Sequence, residues 1–365
     1  MKPSKPIFVT KTYLPNKQKY KQYIDKIYES NYITNYGNLV KTLEQRLCEF
    51  LGVKNVVLTS NGTTALEIAY RTLDIKGFAI TTPFSFVATT SSLVTNGILP
   101  IFADIDVNDF NINPENIIKA ITKNTTSIVP VHVFGNPCKI EEIDNISKEY
   151  NLKIIYDAAH AFGVKYKNRS IAEFGDISVL SFHATKIFHT IEGGALVIND
   201  DKLAQKARYL INFGIQDEEN IPELGTNAKM NEFEAAMGLC VLDDIDDIIA
   251  KRKKIWEIYK KELEGYVEFQ NLNFNITYNY AYFPVLFKNE TQLLKIKKSL
   301  NEQNIFPRRY FYPSLDTLNY IEPKQECKIS RDISRRILCL PIFVDINPEL
   351  QRFVISIVKK GLSII

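Results

Sequence analysis

Two reactive side chains stand at the ends of apolar runs. Asp157 comes directly after the run 152–156 and opens Asp157-Ala158-Ala159-His160; Lys186 closes Ser181-Phe182-His183-Ala184-Thr185-Lys186, just beyond the run 177–182. Runs this rich in β-branched residues are expected as buried strands that deliver the next few side chains to one edge of a sheet. A carboxylate in that position can keep a pyridine nitrogen protonated, and an amine can form a Schiff base with an aldehyde. Asp157 at the end of an apolar strand needs a partner to offset its desolvation. Together the two suit pyridoxal 5'-phosphate, with Lys186 also serving as the base that moves a proton once an incoming amine has displaced it. Taken singly, an N-cap or structural ion pair for Asp157 and a solvated lysine for Lys186 are the competing readings.

Other segments add parts to the same site. Ser60-Asn61-Gly62-Thr63-Thr64-Ala65 joins a strand to a helix, and Gly62, Thr63 and Thr64 would offer backbone and hydroxyl donors to a phosphate; an ordinary N-cap explains the same residues. Phe86, in Pro83-Phe84-Ser85-Phe86, could stack on a flat heteroaromatic ring or simply pack in the core. His160 could reach a phenolic oxygen of the cofactor. Glu192-Gly193-Gly194 would leave space beside it. His183 and His189 stay open between site and structure, and His132 is expected to seat a loop. Arg308, Arg309, Tyr310 and Tyr312 could meet a diphosphate or sugar, or form a solvated basic pair.

These side chains must be positioned by alternating strands and helices. Strands are expected at 55–59, 78–82, 127–131, 152–156 and 177–182, with another near Ile101, and helices at 19–30, at 63–73 and before Gly52. Such repetition builds a mostly parallel sheet covered on both faces. Near Asn231 the pattern changes to a long helical stretch reaching about Leu263. Beyond it come a strand at 277–287, a helix at 291–301 and a final amphipathic helix. The fold expected is therefore α/β, with a large cofactor-binding domain and N-terminal arm at 1–245 and a smaller α+β domain at 246–365.

The chain of 365 residues has room for a buried cleft, and its 45 basic against 42 acidic residues, without a run of like charge, do not indicate a nucleic-acid surface. Five widely spaced cysteines lack a Cys-x-x-Cys pair, so neither a disulfide framework nor a zinc knuckle is indicated. Four scattered histidines define no metal site. Dinucleotide, P-loop and nucleophile-elbow signatures are missing. With no apolar run long enough to span a bilayer and no leader, a cytoplasmic protein without membrane association is expected.

In order, Asn35-Tyr36-Gly37, Asn61-Gly62-Thr63-Thr64-Ala65-Leu66, Ser85-Phe86-Val87-Ala88-Thr89, Asp104-Ile105-Asp106, Val131-His132-Val133-Phe134-Gly135, Asp157 to His160, Ser181 to Lys186, Gly225 to Met230 and Pro307 to Pro313 resemble the DegT-type sugar-nucleotide aminotransferases, a branch of the fold type I pyridoxal-phosphate enzymes. The resemblance covers nearly the whole chain. It implies Lys186 as the Schiff-base lysine, Asp157 on the pyridine nitrogen, and His160 near the phenolic oxygen, where many relatives have glutamine. Phe86 would stack on the ring and Thr63, Thr64 and Ser181 would hold the phosphate, with Asn227 arriving from the neighbouring subunit of a homodimer. Tyr36, Gly37 and His183 join Arg308, Arg309, Tyr310 and Tyr312 as candidate substrate contacts. The implied reaction passes an amino group from L-glutamate to a nucleotide-linked keto sugar. His183-Ala184-Thr185-Lys186 and Glu192-Gly193-Gly194 look more like members acting on 4-keto-6-deoxy sugars, and dTDP-4-keto-6-deoxyglucose is the first choice. A 3-keto, GDP- or UDP-linked sugar, or a catalytically silent sensor on the same fold, are the alternatives.

Overall fold

The computed structural model describes residues 2–362. Seven strands form the central sheet, in the spatial order Val56–Thr59, Gly194–Val197, Ile177–Ser181, Lys153–Asp157, Thr125–Val129, Phe78–Thr81, Leu99–Phe102. Gly194–Val197 runs antiparallel to both neighbours, and the other strand pairs are parallel. The C-terminal ends of Val56–Thr59, Phe78–Thr81, Lys153–Asp157 and Ile177–Ser181 therefore lie on one edge, where open α/β sheets bind ligands.

Period-two alternation distributes the strand side chains between two apolar layers. Ile154, Tyr156, Leu180 and Phe182 join one layer with Phe84, Phe134 and Phe188. Ile155, Ile177 and Val179 join the other with Val57, Ala69 and Leu196. Burial on both faces explains why these segments are uniformly apolar in sequence. Helix Gly62–Thr72 starts where the Asn61 side chain accepts from the Thr64 N–H, and Asn38–Leu51 stops at Gly52, whose φ of 66° suits a residue without Cβ.

A third apolar layer surrounds the antiparallel pair Phe283–Leu286 and Ile337–Leu340. It is covered by Ile245–Leu263, Glu290–Glu302 and Pro348–Leu362. Two expectations need correction here. The long helical stretch is two helices, Glu232–Asp243 and Ile245–Leu263, separated at Asp244. The expected strand 277–287 divides: Ile276–Thr277 pairs with Lys165–Tyr166, whereas Phe283–Leu286 pairs with Ile337–Leu340. Between them Tyr280 takes a φ of 56°, and the buried Asn279 amide bonds other chain segments, which interrupts the ladder. The N-terminal arm touches both parts of the chain: Ile7–Phe8 pairs in parallel with Ile305–Phe306, while Val9 joins the first apolar layer and Tyr13 and Tyr20 pack against it. Among the described residues no helix is long and apolar enough to cross a membrane.

Candidate active site

The edge defined by the parallel strands opens into a cleft of about 630 Å³ lined by Gly62, Thr63, Thr64, Phe86, Asp157, His160, Ser181 and Lys186, among others. Asp157 is the last residue of its strand, and its backbone is tied on both sides. Its N–H donates to Pro130 O, and its carbonyl accepts from the His132 N–H. Thr89 Oγ donates to one carboxylate oxygen at 2.7 Å and the Ala159 N–H to the other at 3.1 Å. Burial raises the carboxyl pKa, while Thr89, Ala159 and the Lys186 charge act in the opposite direction.

Lys186 is the second pole. Burial brings its amine down to about 8, against a smaller upward pull from Asp157. Its Nζ donates to the Tyr282 hydroxyl at 3.3 Å. A neutral partner leaves the amine able to lose its proton near physiological pH.

His160 is held as a neutral ring. Its Nδ1 accepts the Phe134 N–H at 3.3 Å, while its face stacks on Phe311 and the Tyr282 ring stands edge-on to it. Burial, then the Lys186 charge, hold its pKa well below the ordinary histidine value. With Nδ1 accepting, the hydrogen-bond pattern assigns the ring proton to Nε2, which makes His160 a donor in the cleft.

At the helix start, the Asn61 side chain satisfies the Thr64 N–H, and among the described residues the Gly62 and Thr63 N–H groups find no acceptor. Such donors, with the positive end of the helix dipole, can receive an anion. A Cβ on Gly62 would come within 2.9 Å of Ser181 Cβ, so glycine lets the turn lie against that serine. Phe86, half exposed at the start of helix Val87–Thr95, offers a flat ring on the same cleft.

The DegT/DnrJ/EryC1/StrS aminotransferase family model matches residues 15–359. The chain belongs to this family. It is 42% identical to the dTDP-4-amino-4,6-dideoxy-D-glucose transaminase of Shigella dysenteriae over 98% of this chain and 99% of that one. To the protein of the same name from Escherichia coli it is 38% identical, over 95% and 96%. Among solved structures, DesI in the presence of its TDP-sugar product superimposes with a TM-score of 0.95 at 29% identity, covering 100% of this chain and 94% of that one. Helicobacter pylori PseC, an aminotransferase involved in the biosynthesis of pseudoaminic acid, superimposes at 0.89 and 27%, covering 98% and 100%. The fold is that of fold type I aminotransferases, as the sequence motifs implied.

In this aminotransferase, Arg308 and Tyr310 reach the cleft, and so does His183, which bonds Thr185 through Nδ1 and lies 3.4 Å from the Glu192 carboxylate through Nε2. Other expected contacts fall elsewhere. Arg309 is tied to Glu290 at 2.6 Å and to the carbonyls of Ser334 and Arg335. Tyr312 lies under the Arg309 guanidinium, half exposed and outside the cleft lining. Tyr36 donates to Glu44 and lines a separate pocket with Arg208 and Lys229. Gly37 is required by the Glu232 carboxylate, which caps the Leu39 and Val40 N–H groups and would lie 2.5 Å from a Cβ at position 37. Asn227 sits opposite Asn212 and does not line the cleft of its own chain.

The two glycines after Glu192 also have a different cause from the one expected. A Cβ on Gly194 would meet the Asn61 backbone at 2.6 Å, and one on Gly193 would collide with Thr190 Oγ, so it is protein that fills the space. His132 seats a loop by accepting the Cys138 N–H and stacking on Tyr156, and burial lowers its pKa to about 3. His189 bonds Tyr13 O and the Ile191 N–H, which ties it to the N-terminal arm. Thr89, Tyr282 and Phe311 also line the cleft, with no role assigned to them individually from the sequence. Thr89, three positions after Phe86, carried a usable signal, since that spacing places both on one face of a helix's first turn. Phe311 lies inside the matched stretch Pro307 to Pro313, and Tyr282 carried no signal.

Proposed function

We propose that this aminotransferase uses pyridoxal 5'-phosphate to move the amino group of L-glutamate to C-4 of dTDP-4-keto-6-deoxyglucose, giving dTDP-4-amino-4,6-dideoxyglucose for an O-antigen or other surface glycan. It would act in the cytoplasm as a homodimer. The observation that carries the cofactor is the pair lining one cleft: a buried carboxylate fixed by Thr89 and Ala159, and a partly buried lysine whose hydrogen-bond partner is a neutral hydroxyl. When bound, pyridoxal phosphate supplies an aldehyde that takes up amines and a ring that stores electrons.

The residues divide the remaining work. Asp157 would hold a proton on the pyridine nitrogen, and the Nε2–H of His160 would face the phenolic oxygen. Gly62, Thr63, Thr64 and Ser181 would receive the phosphate, and Phe86 would cover one ring face. Lys186, with its amine near a pKa of about 8, is neutral in a useful fraction of molecules and can both bind the aldehyde and carry a proton at substrate carbon. Arg308, which lines the cleft, would meet a substrate anion. Asn227 lies outside its own cleft, which supports its assignment to the phosphate site of a partner subunit. The choice of nucleotide sugar rests on the near full-length likeness to two dTDP-4-amino-4,6-dideoxy-D-glucose transaminases. The GDP-perosamine synthase of Escherichia coli O157:H7 is less similar, at 31%.

The deciding experiment incubates the purified protein with L-glutamate and dTDP-4-keto-6-deoxyglucose, beside GDP- and UDP-linked keto sugars. Expected are 2-oxoglutarate and a new C–N bond at C-4 of the dTDP sugar, located by NMR. Amination at C-3, or a higher kcat/KM with a GDP or UDP sugar, would overturn the substrate assignment. Borohydride should fix cofactor to the native protein and not to Lys186→Ala; a native protein that fixes none would overturn the cofactor.

A further inference from the structure

Behind the cleft, a buried guanidinium holds a turn that touches both Lys186 and His160. Arg252, on helix Ile245–Leu263, donates through Nε to Tyr280 O at 3.0 Å and through a terminal nitrogen to Ala281 O at 2.6 Å. Among the described residues no carboxylate pairs with it, and burial lowers its pKa only to about 10, so it remains charged. A buried charge without an acid must be compensated by dipoles, and here two adjacent carbonyls supply them.

The turn so held makes further contacts through two residues, Asn279 and Tyr282. Asn279, almost wholly buried, donates to His160 O at 2.8 Å and Phe162 O at 3.0 Å and accepts the Ala281 N–H at 3.1 Å. Tyr282 accepts from Lys186 Nζ and sets its ring edge against His160. Gly135 closes the back of the turn, where a Cβ would stand 2.9 Å from His160 O and 3.0 Å from the Asn279 side-chain oxygen.

We infer that the 279–282 turn, locked by Arg252, is a positioning bracket for the two sides of the site: Asn279 fixes the His160 carbonyl, and the Tyr282 hydroxyl sets the resting place of the Lys186 amine. Its consequence in catalysis rests on the pyridoxal-phosphate reading, but the geometry concerns this chain's own residues. A satisfied buried polar network has little freedom to rearrange, so it holds both groups at a fixed separation. The Tyr282 oxygen accepts a proton-bearing amine without contributing a full negative charge, so it stabilises the ammonium modestly and leaves it able to deprotonate. Tyr282 and Asn279 are positioning residues, and Arg252 acts through them.

Tyr282→Phe keeps the ring contacts and removes only the hydroxyl. The full-length protein, freed of cofactor, is labelled with limiting acetic anhydride across about pH 6 to 10, and acetylation of Lys186 is read by mass spectrometry. Native Lys186 should titrate at about 8. In Tyr282→Phe the midpoint should fall by about one unit, because the charged form has lost an acceptor, a tenfold change in its protonation equilibrium. A midpoint that stays in place or rises would overturn the bracket, provided thermal melting shows the variant folded. Failure of added pyridoxal phosphate to become fixed to native Lys186 by borohydride would instead overturn the cofactor reading, so the two failures are separate.

Discussion

Replacing Thr89 by valine tests how the site controls Asp157. Thr89 Oγ supplies the shorter of the two hydrogen bonds to the carboxylate, at 2.7 Å, and also contacts Ser85 Oγ at 2.7 Å. The variant leaves Asp157 with only the Ala159 N–H at 3.1 Å. A hydrogen bond to a charged group contributes about 1.5–3 kcal/mol, or about 1–2 pKa units. Burial has already raised the folded-state pKa of Asp157 above its ordinary value, and losing Thr89 raises it further. The carboxylate therefore takes up its proton at higher pH. Measured as kcat/KM against pH from about 5 to 9, the acid limb should move up by about one unit or more, with the alkaline plateau close to native. Stability should respond with the same sign. A group whose folded pKa is raised loses stabilisation as pH rises through that pKa, so the variant should be most destabilised on the alkaline side and approach native as pH falls. Thr89→Ser should restore both profiles. An acid limb unmoved in Thr89→Val would refute the claim that this hydroxyl holds the Asp157 charge.

The other contacts carry outcomes of their own. Because His160 is neutral and acts as a donor, His160→Ala should lower kcat by about 10–100-fold, whereas His160→Gln, which keeps an N–H, should stay within about tenfold; equal losses would contradict the donor role. Arg308→Ala should raise KM for the nucleotide sugar about tenfold with little change in melting temperature. Arg309→Ala should do the reverse, losing about 1–2 kcal/mol, a figure discounted for the partly exposed Glu290, without altering KM. Inactive Lys186→Ala and Asn227→Ala chains, mixed and allowed to exchange subunits, should recover activity, because one site of each hybrid dimer would have both native residues. Absence of recovery when subunit exchange is demonstrated would place Asn227 outside a shared site.

Much of the large sheet was legible because burial on both faces leaves continuous apolar runs. The ends of those runs placed Asp157 and Ser181 at one edge, and Lys186 soon after it. The turn at Gly62 was legible for a related reason, since a strand, a short polar cap and a helix succeed one another within a few residues. The second half was less readable. Residues 277–287 contain enough aromatic and β-branched side chains for one strand, yet Asn279 bonds across to His160 and Phe162, and the segment divides. Helical periodicity likewise runs from 232 to 263 through a break at Asp244.

The sequence by itself determined the aminotransferase family and the α/β class, because those depend on residue types at the ends of local elements. Only the tertiary structure separated Arg308, in the cleft, from Arg309, paired with Glu290, since neighbours on an irregular segment share every sequence signal. It also removed Tyr36 and Gly37 from the cleft and brought in Tyr282, whose hydroxyl meets Lys186 from far along the chain. Neither periodicity nor spacing encodes such contacts. They depend on how the second half packs against the sheet edge, where the buried Arg252 fixes the turn that carries Tyr282 to the lysine.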